Sequence, residues 1–162
     1  MCKFREATEK DFELICNLIK SKDELFLVYP GGKYPLTVSQ VKKLSEVREE
    51  LTVAVDSNEI IGFANLYNYE PNQSAFIGNV IVEKNHRGRG IGKEIVSYML
   101  SKAHDKYTLP EVRISVFSDN TPALLLYSKL GFNPYEIEER TNPQSHRAAL
   151  IHMKKVFAQR EI

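Results

Sequence analysis

The hydrophobic residues near the start of the chain recur at helical spacing in two segments. Each segment begins at a capping-box signature, Thr8-x-x-Asp11 in the first and Thr37-x-x-Gln40 in the second. Their apolar faces contain Phe12, Ile15, Leu18 and Ile19 in the first and Val41, Leu44 and Val47 in the second. The pattern therefore predicts two amphipathic helices, the second of which ends near Glu50.

The middle of the chain changes to a β-rich pattern. Three runs, at residues 51–55, 60–69 and 75–82, are rich in β-branched and aromatic residues. The polar segments DSNE and EPNQ separate them, which predicts three antiparallel strands joined by hairpins. The last run, AFIGNVIV, carries no charged residue, as expected of a central strand that is buried on both faces.

The order of the remaining elements predicts the fold class. Residues 2–7 suit a short first strand, and residues 21–36, which contain the turn cluster VYPGGKYP, are interpreted as a loop. After the three strands the pattern predicts a helix at 90–106, a strand at 112–117, a helix closed by Gly131, and strands at 134–140 and 148–156. We expect an α/β fold in which a mixed, mostly antiparallel central sheet of about seven strands is flanked by helices. Without a visible repeat or linker, residues 1–162 are predicted to form a single domain.

Composition narrows the classes of partner. The chain has 22 Lys and Arg against 21 Asp and Glu, so no overall field favours nucleic acid or an anionic membrane. Its start, MCKFREATEKDF, is charged where a signal peptide would be apolar, and no apolar run approaches the roughly 20 residues of a membrane span. The two cysteines, Cys2 and Cys16, make neither a disulfide framework nor a metal pair, which fits a reducing compartment. We expect a cytoplasmic protein that binds neither nucleic acid nor membrane.

The segment VIVEKNHRGRGIGKEIV, residues 80–96, carries the clearest candidate chemistry. Its glycines are Gly88, Gly90 and Gly92, and the basic residues beside them are Arg87, Arg89 and Lys93. The first turn of a helix presents unpaired N–H groups and a positive dipole, and glycine lets an anion approach the backbone closely. The turn therefore predicts a local polyphosphate site, and a glycine-rich surface turn with solvated basic residues is the alternative.

Two other phosphate-binding motifs do not fit this turn. A P-loop requires GxxxxGK[ST], but counting back from Gly92 and Lys93 puts Arg87 at the first glycine position and Glu94 after the lysine. A Rossmann fingerprint requires GxGxxG early in a βαβ unit, whereas here GxGxG follows three consecutive predicted strands. A nucleoside-triphosphate enzyme of the P-loop kind is therefore disfavoured.

Two motifs resemble those of the GNAT (GCN5-related) N-acetyltransferases. The segment RGRGIG, residues 87–92, is similar to the Q/R-x-x-G-x-G/A signature of that family. Further along, DNTPALLLYSKLGF resembles a second landmark, in which an Asn opens a helix that carries a Tyr shortly before a Gly-Phe pair. The order of strands and helices resembles that fold across nearly the whole chain. The resemblance implies a GNAT-like acyl-CoA N-acyltransferase fold and acetyl-CoA as the acyl donor.

The resemblance also implies roles for individual residues. Backbone N–H groups of the glycine turn would bind the pyrophosphate of acetyl-CoA, and the turn consists of Arg87, Gly88, Arg89, Gly90, Ile91, Gly92 and Lys93. The backbone of Val80, Ile81 and Val82 would pair with the pantetheine arm like an extra strand. Asn120 would bind an amide of the cofactor. Tyr127 would lie at the thioester sulfur and act as the catalytic hydrogen-bond donor.

Several of these residues also have local explanations. Asn120 fits equally well as the N-cap of its helix, with Pro122 in the first turn. Tyr127 lies on an apolar helix face, where the alternative is a core tyrosine whose hydroxyl is satisfied. Gly131 is explained as a helix C-cap.

The base that would deprotonate the acceptor is not evident from the sequence. Some GNAT enzymes use a strand glutamate at the position that Phe76 occupies here, and residues 75–82 contain no carboxylate. Asn79 is the polar side chain of that strand; it either orients water or substrate or satisfies a strand distortion. The hypothesis is that water, or the unprotonated fraction of the amine, carries this step, with His146 as a distant candidate base.

The acceptor site is weakly specified. Residues 21–36 contain Asp23, Glu24, Tyr29 and Tyr34, acidic and aromatic groups that suit a cationic amine, although a solvated loop is the alternative. No two histidines have metal-ligand spacing, so no metal is expected.

The predicted function is an N-acetyltransferase that transfers the acetyl group of acetyl-CoA to a primary amine of a small molecule or peptide by direct attack. The alternative is a non-catalytic acyl-CoA-binding sensor or scaffold module. Phe76 in place of a carboxylate favours this alternative, and Tyr127 opposes it. The expected ligands are acetyl-CoA and an amine acceptor, with no metal, in a monomer or homodimer.

Overall fold

Seven strands form one sheet with the order β1-β2-β3-β4-β5-β7-β6 in the computed structural model. The model describes residues 2–158, so the ends of the predicted 1–162 domain, Met1 and residues 159–162, lie outside the described residues. The strands are β1 (Lys3–Glu6), β2 (Glu49–Asp56), β3 (Glu59–Glu70), β4 (Ser74–Val82), β5 (Glu111–Phe117), β6 (Asn133–Thr141) and β7 (Arg147–Val156). Only β4 and β5 pair in parallel, so the predicted mixed, mostly antiparallel sheet is confirmed.

Both predicted hairpins are present in the sheet. The β2–β3 turn consists of Ser57 and Asn58, which both have positive φ, at 50° and 66°. Two-residue turns of this handedness match the right-handed twist of the flanking strands. The β3–β4 hairpin closes over residues 71–73. Polar turn residues between β-rich runs were therefore a sufficient signal for this part of the chain.

Among residues 2–158, five α-helices cover the two faces of the sheet. They are α1 (Phe12–Cys16), α2 (Lys22–Val28), α3 (Val38–Val47), α4 (Ile91–Asp105) and α5 (Thr121–Lys129). The interpretation of residues 21–36 as a loop is wrong for α2. The Ser21 hydroxyl accepts a hydrogen bond from the Glu24 N–H at 3.1 Å, and Leu25 is buried. The Ser-x-x-Glu spacing is the capping signal that could have located this helix.

The first and third helices end earlier than their apolar patterns predict. Helix α1 stops at Cys16, and Leu18 and Ile19 are buried although they follow its end. Helix α3 stops at Val47, which is 71% exposed and does not belong to the buried face. The helical spacing of apolar residues misplaced both boundaries. Leu18 and Ile19 are buried although they lie outside α1, and Val47 is apolar although its side chain is exposed.

Each face of the sheet has its own hydrophobic core. Helices α4 and α5 cover one face, where the predicted stripe of α4 is buried at Ile91, Ile95, Met99 and Ala103. Helices α1 to α3 cover the opposite face, with Phe12, Ile15, Leu25, Val41 and Phe63 in the second core. Strand β4 contributes Ala75 and Ile77 to the first core and Ile81 to the second. These positions are an even number of residues apart, so the change of face requires the irregularity in the β3–β4 register that lies between Ile77 and Ile81. Its position makes β4 the structural centre of the molecule.

A carboxylate near the start of the chain joins β1 to the first helical segment. Asp11 accepts two hydrogen bonds from the Arg5 guanidinium, at 2.7 and 2.9 Å, and one from the Thr8 N–H at 2.8 Å. The predicted capping box is thus formed at Thr8 and Asp11. The Arg5 hydrogen bonds, with those from Thr8, lower the pKa of Asp11 to about 2.

We predict that this pairing makes the stability of the fold pH-dependent in the acid range. Because the pKa of Asp11 is lower in the folded state, its contribution is complete above the unfolded value near 3.9 and disappears as pH falls towards 2. Asp11→Asn should cost roughly 2 kcal/mol at neutral pH and flatten this part of the profile. Denaturant unfolding from pH 2 to 6 measures both effects. Glu13→Gln, which changes an exposed carboxylate nearby, is the control; an equal loss in both variants would contradict the assignment.

Candidate active site

The site begins where β4 and β5 separate. Their parallel pairing runs from Ser74 opposite Glu111 to Ile77 opposite Ile114 and then ends. Strand β5 stays paired with β7 beyond that point, so residues 78–82 of β4 have no strand partner on their β5 side. An unpaired strand edge inside a sheet offers backbone N–H and C=O groups to a ligand. The separation therefore creates a ligand-sized opening through the sheet.

A β-bulge in β4 accompanies the separation. On β3, Phe63 and Asn65 are two residues apart, whereas their partners on β4, Ile81 and Gly78, are three apart. The extra residue is accommodated at Asn79, whose φ is +49°. A bulge increases the local twist and redirects the strand, which is why β4 turns away from β5 here. Satisfying a strand distortion of this kind was one of the two roles predicted for Asn79.

One cleft of about 530 Å³ runs from this opening to the glycine turn. It is lined by all but one of the residues predicted to bind the cofactor: Val80, Ile81, Val82, Arg87, Gly88, Gly90, Ile91, Gly92, Lys93, Asn120 and Tyr127. Arg89 alone of that set does not line it. Residues from three separate segments of the sequence therefore meet at one surface.

The glycine turn presents free backbone donors to this cleft. Gly88 and Gly90 both have φ +81°, and a Cβ added at either would meet nothing within 4 Å. The first helical hydrogen bond of α4 runs from the Glu94 N–H to the Gly90 carbonyl, so the N–H groups ahead of Glu94 have no helical partner. The glycines are thus needed for backbone conformation and leave open space for an anion.

The side chain of Arg87 is engaged elsewhere. Its Nε donates to the Val82 carbonyl at 3.1 Å, and its Nη2 donates to Glu24 at 2.8 Å. Glu24, predicted to bind the acceptor, therefore lies in the first cleft and ties α2 to the glycine turn. Arg89 and Lys93, which form no ion pair within residues 2–158, supply the remaining positive charge at this turn.

A second cleft of about 440 Å³ lies on the other side of the opening. Its walls include Tyr29, Arg48, Tyr67, Phe76, Gly78, Asn79, Ser115, Glu138, Arg140 and His152. Both clefts are lined by Leu27, Val28, Val80, Asn120 and Tyr127. Two ligands bound in the two clefts would meet at these shared residues.

Tyr127 is at this junction, on α5. Its side chain is buried, and burial alone raises its pKa, because no charge or hydrogen bond contributes. No buried polar side-chain atom among the described residues lacks a partner, so the unbonded hydroxyl reaches the clefts. The core-tyrosine alternative required a satisfied hydroxyl, which the described residues do not provide.

Asn120 does not cap its helix through its side chain. It occupies the N-cap position of α5 with φ −86° and ψ 66°, but it makes no side-chain cap hydrogen bond. Pro122 occupies the first turn, as predicted. Asn120 lines the shared part of the two clefts.

Asn79 connects the bulge to three other elements. Its Oδ1 accepts from Arg48 Nη1 at 2.8 Å and from Asn65 Nδ2 at 2.7 Å, and its Nδ2 donates to the Val28 carbonyl at 2.8 Å. Asn79 and Asn65 are both buried. These hydrogen bonds hold α2 and the end of α3 against the distorted strand. The Asn79 amide therefore stabilises the bulge.

A row of three polar side chains crosses the floor of the second cleft. Ser115 Oγ lies 2.7 Å from His152 Nδ1, and His152 Nε2 lies 3.0 Å from Glu138 Oε2. Arg140, with His152, lowers the pKa of Glu138, so that carboxylate is ionised and His152 Nε2 must donate to it. In the neutral imidazole the remaining lone pair, on Nδ1, then accepts from the Ser115 hydroxyl.

Sequence reasoning missed this row. Phe76, which stands where the strand base was expected, lies edge-on to His152 with ring centroids 6.4 Å apart. Ser115 and His152 face each other across β5 and β7. The available signal was a histidine and a serine at alternate positions of apolar strands, where a buried polar group needs a partner.

The other predicted acceptor residues lie apart from one another. Tyr29 lines the second cleft, with its ring centroid 5.9 Å from the Arg48 guanidinium carbon. Asp23 accepts a hydrogen bond from Gln144, and Tyr34 donates to the Lys20 carbonyl. His146 is exposed and lines neither cleft.

The described part of the chain also bears on metal binding and on membrane insertion. Residues 2–158 contain no group of three or more His, Cys, Asp or Glu side chains arranged to hold a metal ion. Over the same range, no helix combines the length and the apolar character that crossing a membrane requires.

Comparison with known proteins identifies the family of the chain. The family model described as the acetyltransferase (GNAT) family matches residues 13–132, which include both motifs and the separated strands. The chain belongs to the GNAT acetyltransferase family. The seven-stranded mixed sheet flanked by helices is the GNAT acyl-CoA N-acyltransferase fold.

Curated relatives match part of the chain. An N-acetyltransferase 9-like protein of Nematostella vectensis is 37% identical over 81 residues, 47% of this chain and 41% of that protein. Mycothiol acetyltransferase of Corynebacterium glutamicum is 31% identical over 124 residues, 73% of this chain and 41% of that protein. The chain thus spans less than half the length of these relatives.

A solved structure supports the fold across the whole chain. A Salmonella typhimurium protein described as an acetyltransferase, solved with its cofactor acetyl-CoA, superposes with a TM-score of 0.80. The match covers 100% of this chain and 97% of that one at 13% identity. At this identity the likeness concerns the fold.

We predict that CoA affinity depends on an uncharged, open glycine turn. Gly90→Asp places a negative charge beside the free N–H groups, whereas Gly90→Asn has the same shape and tolerates the same positive φ. Both variants should lose similar stability, but Asp should weaken CoA binding about tenfold more than Asn, by calorimetry. Equal affinities in two folded variants would remove the pyrophosphate from this turn.

Proposed function

We propose that the protein is an acetyl-CoA-dependent N-acetyltransferase that acts on a primary amine. The observation that carries the proposal is the meeting of two clefts at Tyr127, Asn120 and Val80. One cleft ends at a turn built for a polyphosphate, and the other ends at a hydrogen-bonded serine, histidine and carboxylate. A cofactor in the first and an amine in the second would bring their reacting atoms together at the junction.

The first cleft supplies the contacts that acetyl-CoA requires. N–H groups from Gly88 to Lys93 bind the pyrophosphate, and Lys93 and Arg89 add positive charge. The open edge of Val80–Val82 pairs with the pantetheine amides, and Asn120 binds one of them. The arm then enters the opening between β4 and β5 with its thioester towards Tyr127.

The polar row in the second cleft removes the proton from the acceptor. The ammonium gives a proton to Ser115 Oγ as the serine proton passes to His152 Nδ1, and Glu138 stabilises the resulting imidazolium. The neutral amine then attacks the thioester carbon. This assigns the base to β7 and replaces the hypothesis that water alone carries the step.

The collapse of the tetrahedral intermediate releases CoA and forms the amide. The carbon–sulfur bond breaks, the thiolate leaves, and the proton lost by the amide nitrogen ends on the CoA sulfur. Tyr127 donates a hydrogen bond to that sulfur; its raised pKa favours donating the bond over complete proton transfer. A backbone N–H at Val80, beside the bulge, would donate a hydrogen bond to the thioester oxygen.

The alternative function is a non-catalytic acyl-CoA-binding sensor. The lack of a carboxylate in residues 75–82 favours it, whereas the unbonded Tyr127 hydroxyl and the row at His152 favour catalysis. Thiol release from acetyl-CoA with a panel of amines separates the two, because a sensor binds acetyl-CoA without turnover.

We predict that Tyr127→Phe slows the chemical step while leaving the fold and acetyl-CoA binding intact. The ring packing is kept and a single hydroxyl is lost, so kcat should fall by about 10²–10⁴-fold, the usual value of such catalysis. Single-turnover acetyl transfer measures the step directly. Tyr98→Phe, which changes a tyrosine that lies outside both clefts and packs against Phe4, is the control. A wild-type single-turnover rate in Tyr127→Phe would make this tyrosine structural.

We predict that His152→Gln lowers kcat/KM by about 10²-fold near neutral pH. The variant should recover at high pH, where the free amine is abundant and no base is needed, so its rate should depend on pH more steeply than that of wild type. Its pH profile is compared with that of His146→Gln, the exposed histidine. Coincident profiles for His152→Gln and wild type would restore the water hypothesis.

A further inference from the structure

Arg48 is a half-buried arginine in the second cleft, at the junction of α3 and β2. Its guanidinium carbon lies 4.2 Å from the Tyr67 ring centroid and 5.9 Å from that of Tyr29. Its Nη1 donates to both Asn65, at 3.1 Å, and Asn79, at 2.8 Å. Two buried amides and two aromatic rings therefore fix the orientation of the group.

The backbone of β4 is shaped to admit this guanidinium. A Cβ at Gly78 would lie 2.6 Å from Arg48 Nη1 and 2.5 Å from Tyr67 Cδ1. No side chain larger than hydrogen fits there without displacing one of the two. The arginine is consequently part of a built site directly beside the bulge, and a solvated surface arginine would need none of these contacts.

One edge of the guanidinium has no protein partner. The hydrogen bonds of Arg48 all use Nη1, and Nε and Nη2 bond to no group among residues 2–158. Those atoms are not shut off from solvent, since no fully buried polar atom in the described range is unpaired. Nε and Nη2 form the side-on pair that binds a carboxylate through two parallel hydrogen bonds.

The positive charge of Arg48 is not neutralised by the described part of the protein. No carboxylate of residues 2–158 forms an ion pair with it, and burial lowers its pKa. Glu138, the one carboxylate lining the second cleft, is bonded to Arg140 and His152. With Arg48 and Arg140 against one carboxylate, the cleft wall carries excess positive charge.

We propose that Arg48 binds an anionic group of the acceptor, and that the acceptor is a small primary amine that also carries a carboxylate, as an amino acid does. The inference rests on the proposed function and specifies its acceptor. Gly78, against which the guanidinium packs, is two residues from Val80, which is at most about 7 Å along the strand and less where the bulge at Asn79 shortens it. The anion and the reacting amine are therefore a few bonds apart, which suits an amino acid and disfavours a long polyamine.

The test compares each amino acid with its own amide, in which the amine is kept and the carboxylate is removed. Thiol release from acetyl-CoA is measured with pools of the twenty amino acids, then with the active ones singly, with their amides, and with spermidine. Wild type should have a KM for the amino acid about 10–100-fold below that for the amide, because charge-assisted bidentate bonds are the strong ones. The amide has the less basic amine, so its larger free-amine fraction opposes this difference.

The variant Arg48→Gln should raise the KM for the amino acid to that for its amide and leave the KM for the amide nearly unchanged. Arg48→Lys, which keeps the charge without the side-on pair, should be intermediate. Arg113→Gln is the matched control, because Arg113 is paired with Glu111 and does not line the second cleft. Acetyl-CoA affinity and thermal unfolding of each variant confirm that the protein is folded.

Two results would overturn the inference. One is an equal loss for amino acid and amide in Arg48→Gln, which is what a purely structural arginine gives. The other is a preference for spermidine over every amino acid. If acetyl-CoA binds but no amine releases thiol, the proposed function fails. Calorimetric titration of amino acids into the CoA-loaded protein then decides the subsite: Arg48-dependent binding supports it, and no binding overturns it.

Discussion

The end of pairing between β4 and β5, after Ile77 and Ile114, is the constraint on which the rest of the site depends. A sheet with continuous pairing would leave no edge for a ligand in its middle. The bulge at Asn79 redirects β4, and the amide of Asn79 bonds to three neighbouring groups, so no fully buried side-chain N or O atom of residues 2–158 is left unpaired by the distortion. The same bonds fix Arg48, which connects the opening of the sheet to the charge of the cleft behind it.

The opening divides the proposed chemistry between the two faces of the sheet. Tyr127 belongs to the core formed with α4 and α5, together with Ile114 and Val116 of β5. Ser115 lies between those two residues and points to the opposite face, where His152 and Glu138 continue the row. A hydrogen-bond donor for the leaving sulfur and an acceptor for the amine proton thus approach the junction from opposite sides, separated by a single strand.

The charged residues of the second cleft favour an acceptor that carries an anionic group in addition to its amine. The acidic residues expected to attract a cation are engaged elsewhere, Glu24 with Arg87 and Asp23 with Gln144. The second cleft instead contains Arg48, held by neutral amides and aromatic rings. A cation that is kept half-buried without a carboxylate partner is costly, and a ligand that supplies the anion repays that cost.

The sequence by itself determined the order of strands along the chain, the apolar stripe of α4 and the glycine turn. These features depend on local periodicity and on φ values that glycine adopts readily. It also indicated a family, through two motifs that each occupy one short segment. Tertiary structure alone decided the row from Ser115 to His152 and the contacts of Arg48. Their members are distant along the chain and meet through strand register and the bulge at Asn79. Such meetings leave no periodic signal, since a side chain's partner across a sheet is set by pairing that the sequence does not state.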